Sequence, residues 1–93
     1  ACEQTLRRVI EELRTGKPDY SKMTLDAARV IRVQVSLLER SLAKAGAVKD
    51  VKFIGIGSPT GREKFDVTFE NSRSEWRIQC LANGWFGSLD VRK

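Results

Sequence analysis

Few side chains of this chain have the type to carry chemistry. They are Cys2, Cys80, the adjacent pair Asp19-Tyr20, and the glycines of Gly55-Ile56-Gly57. Histidine is absent, so neither a histidine general base nor a Cys–His nucleophile pair is available. Two cysteines so far apart match no metal motif, which normally clusters about four ligands; the sequence predicts no metal and no cofactor. Gly55-Ile56-Gly57 has the look of part of a phosphate loop, but no helix and no lysine–serine pair follow it. Asp19 follows Pro18 in a polar stretch, the setting of a turn former. Tyr20 reads either as a loop anchor or as a pocket wall.

Charge narrows the classes further. The chain of 93 residues carries 17 basic and 12 acidic side chains, a net +5. The basic excess is scattered over Arg7-Arg8, Arg29, Arg32, Lys49 and Lys52, whereas a nucleic-acid face concentrates charge on one element with aromatics between. A solvated basic surface is the expectation, and nucleic acid is not an expected partner. No apolar run reaches the roughly 18–20 residues of a membrane helix. Ninety-three residues suffice for one modest core, so a single domain over 1–93 is expected. The chain opens Ala-Cys without Met, which suggests a processed product or a fragment; a signal peptide could have been removed.

The elements that must position these residues follow from periodicity. Leu6, Val9, Ile10 and Leu13 form one apolar stripe, which predicts a helix over 2–14 with Cys2 on the same stripe. Gly16 and Pro18 end it. Residues 15–23 form a loop that Tyr20 and Met23 pin. Thr24 caps a second helix running to Ala45 and Gly46. Its main stripe is Ala28, Ile31, Val35, Leu38, Leu42 and Ala45, widened by Val30, Val33 and Leu37. A face so broad calls for a curved sheet, or a sheet plus another subunit, around it.

Residues 48–57 form a first strand with either a bulge near Gly55 or burial on both faces. Ser58 to Gly61 make a turn. In the next two strands Phe65, Val67, Phe69, Trp76, Ile78 and Cys80 alternate with polar residues. Asn71 to Arg73 form a short hairpin connection. Asn83-Gly84 matches a type I′ turn, and residues 85–92 form the last strand. Trp85, Leu89 and Val91 fall on one face and Phe86, Ser88 and Asp90 on the other, so either Trp85 or Phe86 is left exposed. The predicted fold class is α+β: two N-terminal helices packed on a four-stranded antiparallel meander sheet, the second helix lying across the apolar face.

With the elements in place, three readings of the cysteines compete. Cys2 on the buried stripe and Cys80 on the buried strand face can form a disulfide, worth roughly 4–5 kcal/mol on the chain-entropy model and implying an oxidising compartment. Alternatively Cys80 is a small buried apolar residue and Cys2 is frayed. A third reading makes Cys2 the lipidated end of a lipoprotein signal.

The Gly16 to Tyr20 loop, Ala45 to Val48 after the long helix, residues 61–71 around Phe-Asp-Val-x-Phe-Glu-Asn, Glu75-Trp76-Arg77-Ile78 and residues 83–89 together form a pattern. It resembles small bacterial domains of the cystatin-like, or nuclear-transport-factor-2-like, class. Related segments occur as exported proteins and as appendages of serine hydrolases. The resemblance spans most of the chain, and its motifs are structural. It implies either a non-enzymatic binding or dimerising domain or, as in ketosteroid isomerases and polyketide cyclases, a pocket between helix and sheet holding acids and tyrosine. Carried onto this chain the enzyme reading finds only apolar inward positions, with Asp66 and Asp90 in the outward register.

The expectation is therefore an exported, periplasmic or secreted accessory domain, with a cytoplasmic location left open. A homodimer or protein partner would dock on the outward sheet face through Lys64, Asp66, Thr68, Arg77, Gln79 and Phe86. The alternative is a carrier of small apolar ligands, or a reduced isomerase, with Tyr20, Trp76 and Trp85 lining a pocket between the second helix and the sheet.

Overall fold

The computed structural model describes residues 2–57 and 61–92; Ser58, Pro59 and Thr60 of the expected turn lie outside that range. Two helices, α1 (Cys2–Arg14) and α2 (Leu25–Ala45), precede four strands, β1 (Val48–Gly57), β2 (Arg62–Phe69), β3 (Arg73–Cys80) and β4 (Phe86–Arg92). The strands form one antiparallel sheet in the order β1-β2-β3-β4. This is the α+β arrangement, helices first and meander second, that the periodicity predicts.

Local chemistry sets the boundaries. α1 ends in a Schellman motif: Gly16 has φ 73°, its N–H donates to Leu13 O at 3.1 Å, and Lys17 N–H donates to Glu12 O at 2.9 Å. Thr24 Oγ1 caps α2 by accepting from Ala27 N at 3.2 Å. Gly46, at φ 85°, closes the other end. Asn83 (φ 60°, ψ 30°) and Gly84 (φ 79°) take the positive φ of a type I′ turn, closed by Trp85 N–H to Ala82 O at 3.2 Å. In β1, the partner of Phe53 is Phe65 and that of Gly55 is Lys64, so Ile54 is the extra residue of a bulge.

The inner face of the sheet carries Phe65, Val67, Phe69, Trp76, Ile78 and Phe86, all buried. Each large aromatic there contributes about 1.5–3 kcal/mol by leaving water. Contrary to expectation, α1 and not α2 lies over the middle of this face. α1 packs on β1 and β3 and buries Cys2, Leu6, Val9, Ile10 and Leu13. α2 packs against α1 and β4. The reason is amphipathic contrast: α1 has one compact apolar stripe, whereas the apolar residues of α2 spread too widely to be covered from one side. Val30, Val33 and Leu37, read as widening its buried face, are 45%, 82% and 63% exposed.

A second correction concerns β4. Ser88 pairs with Gln79 and Phe86 with Cys80, leaving Gly87 as an extra residue. That bulge reverses the alternation. Phe86 turns inward beside Cys80 with no exposed surface, while Trp85 is 41% exposed. Phe86 is therefore a core residue and not part of an outward surface.

Candidate functional site, a furrow between helix α2 and strand β4

Three adjoining hollows run along α2. The first, of about 130 Å³, lies between Asp26, Ala27, Val30 and Ile31 and the start of β4 at Gly87, Ser88 and Leu89. The largest, of about 660 Å³, continues between Val30 to Lys44 and Leu89, Asp90 and Val91, with Arg62 also on its wall. The third, of about 340 Å³, lies under the end of α2, between Leu38 to Ala45 and Phe69, Trp76 and Val91. They share Val30, Ile31 and Leu89 at one junction and Leu38, Ser41, Lys44 and Val91 at the other. The result is a continuous furrow from Asp26 to Ala45, about 30 Å at the rise of an α-helix.

The turn between β2 and β3 fixes its far end. Asn71 N–H donates to Ala45 O at 2.9 Å, Asn71 Nδ2 to Lys44 O at 3.1 Å, and Glu70 Oε1 accepts from Ala47 N at 2.8 Å. The two Asn71 bonds satisfy carbonyls that the helix end leaves without partners, and Glu70 takes up the Ala47 N–H just beyond it. At the near end, Thr24 N–H donates to Phe86 O at 3.2 Å and Thr24 Oγ1 to Gly87 O at 3.3 Å. α2 is thus tied to the sheet at both ends.

The furrow has an apolar floor of Ile31, Leu38, Leu89 and Val91 and a basic rim of Arg40 and Lys44. Asp90 is the one carboxylate on the wall of the largest hollow, and Arg92 Nε lies 3.5 Å from it. Among the described residues, neither Arg40 nor Lys44 is in an ion pair.

The residues expected to line a pocket do not assemble. Trp76 borders the far end of the furrow beside Phe69, its Nε1 donating to Ser74 Oγ at 2.9 Å. Tyr20 sits apart, half-buried, with the Arg32 guanidinium 4.7 Å from its ring centre. Trp85 borders none of the three hollows. On the outward sheet face, Asp66 pairs with Arg73 at 2.8 Å and Arg77 with Glu75 at 2.7 Å. Lys64, Thr68 and Gln79 share that face. Four of its charges are thus paired, and the large exposed apolar side chains of α2 lie elsewhere.

Cys2 and Cys80 form a disulfide, their Cα atoms 5.7 Å apart. Glu63 lies opposite Ile78, so it belongs to the inward register at the end of the sheet. The inward positions thus include one carboxylate that the alternation argument omitted. Its oxygen and the two sulfurs fall within 4.8 Å of one another. With both sulfurs bonded to each other, that trio offers a metal a single anionic ligand.

Sequence reasoning missed the furrow, although it named six of the lining residues, Val30, Ile31, Leu37, Leu38, Leu42 and Ala45, as helix core. The available signal was the excess apolar width of α2. Comparison with known proteins gives no family model, no curated protein and no solved structure that matches this chain.

Proposed function

We propose that this chain is a non-enzymatic binding or accessory domain that engages a protein partner along α2 and the adjoining furrow. The observation that carries this reading is the exposure of Val33 and Leu37 beside an apolar trough with a basic rim. Contiguous exposed apolar patches mark interaction surfaces on soluble domains. The trough runs about 30 Å along α2, which suits a stretch of polypeptide better than a compact ligand. Its wall supplies no pair of carboxylates for acid–base work, only Asp90. A disulfide is compatible with an extracellular location, and among the described residues no helix is long and apolar enough to cross a membrane. Export, and membership of the cystatin-like class as an appendage or exported partner, are part of the same proposal.

Site-specific photocrosslinking in intact cells tests it. A photoreactive residue at Leu37 is expected to trap one discrete protein, and one at Thr68 on the outward sheet face is expected to trap none. Adducts from position 68 without adducts from position 37 would return the docking surface to the sheet. No adduct from either position would remove the binding reading.

A further inference from the structure

Successive residues of a strand point to opposite faces of its sheet. A hollow bordered by consecutive residues of one strand therefore runs along the strand's edge. Gly87, Ser88 and Leu89 border the smallest hollow, and Leu89, Asp90 and Val91 the largest. β4 is the last strand of the sheet and pairs with β3 on one side. Its other side faces the furrow.

The first residues of that free edge already have backbone partners. Met23 forms a parallel bridge with Phe86, and Thr24 bonds both Phe86 O and Gly87 O. This short segment acts as the beginning of a fifth strand, and it ends where α2 starts. From Ser88 to Arg92, among the described residues, no backbone group reaches across to the edge. The opposite edge of the sheet is different. β1 carries two register breaks and the charges Lys49, Asp50 and Lys52, devices that discourage strand addition. Past Gly87, β4 keeps a regular register with β3 and contains no lysine or proline.

We infer that the furrow takes an extended, acidic segment of a partner protein as a fifth strand on β4. This deepens the binding role proposed above and rests on it. Backbone hydrogen bonds to Ser88–Arg92 would supply the affinity, and alternate side chains would reach the apolar floor at Leu38, Leu89 and Val91. The five residues of β4 span about 17 Å at strand rise, which calls for five to seven partner residues. The rim sets the sign of the partner's charge. Arg40 and Lys44, neither in an ion pair among the described residues, face a single carboxylate that Arg92 already neighbours. Glutamate or aspartate at positions between the apolar ones would complement that rim.

The probe is a blocked heptapeptide of alternating glutamate and valine, titrated into isotope-labelled protein and followed by amide shifts. The amides of 88–92 and of 38–44 are expected to move, and hydrogen exchange along 88–92 to slow. The same peptide with alternate amides N-methylated is expected to bind about tenfold more weakly or worse, and so is the peptide with lysine for glutamate. In the protein, Arg40→Glu with Lys44→Glu is expected to weaken binding by about two- to tenfold while the amide spectrum of the free protein is kept.

Equal binding of the N-methylated peptide would overturn strand addition. So would shifts confined to α2, or no shift at millimolar peptide. Self-association of the free protein with protection of 88–92 would give the edge to a second copy and also overturn it. If position 37 traps a partner in cells but the peptide fails, the strand inference falls and the binding role stands.

Discussion

At the scale of single residues, local hydrogen bonds fix the loop between the helices. Asp19 accepts from Ser21 N at 3.1 Å and from Ser21 Oγ at 2.5 Å, and these bonds hold its carboxyl below the ordinary aspartate value. Glu11 is likewise held low by the Arg14 guanidinium, which donates to it at 2.6 Å. A carboxyl whose pKa falls on folding stabilises the folded state above its unfolded value, and that contribution is lost as pH falls through the folded value. The carboxyl titration of Asp19, followed by NMR, is expected to have its midpoint below that of an ordinary aspartate. Ser21→Ala is expected to move it back up; an unchanged midpoint would disconnect the shift from Ser21. Residue-scale features were unevenly legible. Cys2 and Cys80 could be read from their stripes, because burial follows periodicity. Phe86 and Trp85 could not, because which one turns inward depends on Gly87 falling out of register with β3. Only the paired strand reveals that.

At the scale of elements, the contrast between the two helices matters most. Each end of α2 was readable from Thr24 and Gly46, since caps are local chemistry. Its burial was not, since apolar residues say what prefers to leave water and not which neighbour is there to cover it. Ile31 is buried and Leu37 is not, so the two should answer differently to substitution. Ile31→Ala is expected to cost about 2–5 kcal/mol in urea unfolding. Leu37→Lys is expected to change stability by no more than about 0.5 kcal/mol, while abolishing partner capture through the furrow. A large loss of stability from Leu37→Lys would mean that its side chain is core after all.

At the scale of the whole molecule, the order of elements and the meander were written in the turns and alternation. The furrow was not, because it arises from where α2 comes to rest beside the edge of β4. The disulfide is the strongest long-range constraint, joining residues 78 apart in sequence. Reduction is expected to lower stability by about 2–5 kcal/mol and the melting temperature by about 10 °C or more. Cys2→Ser should show the same loss and no further response to a dithiol reductant. Identical melting of the oxidised and reduced protein would assign the bridge no role in the fold.

The same bridge makes most of the polypeptide a closed ring. The ring runs from Cys2 to Cys80, and β4 follows it in sequence. One peptide-bond break anywhere in the ring, for instance in the connection between α1 and α2, turns a loop into two arms still joined through sulfur. The severed pieces keep each other at high effective concentration. β4, which borders the furrow, lies outside the ring, and a break between Cys80 and Phe86 leaves it no covalent tie to the ring. Proteolysis between β3 and β4 would therefore remove the strand that borders the furrow, whereas a single cut within the ring would leave both of its arms joined.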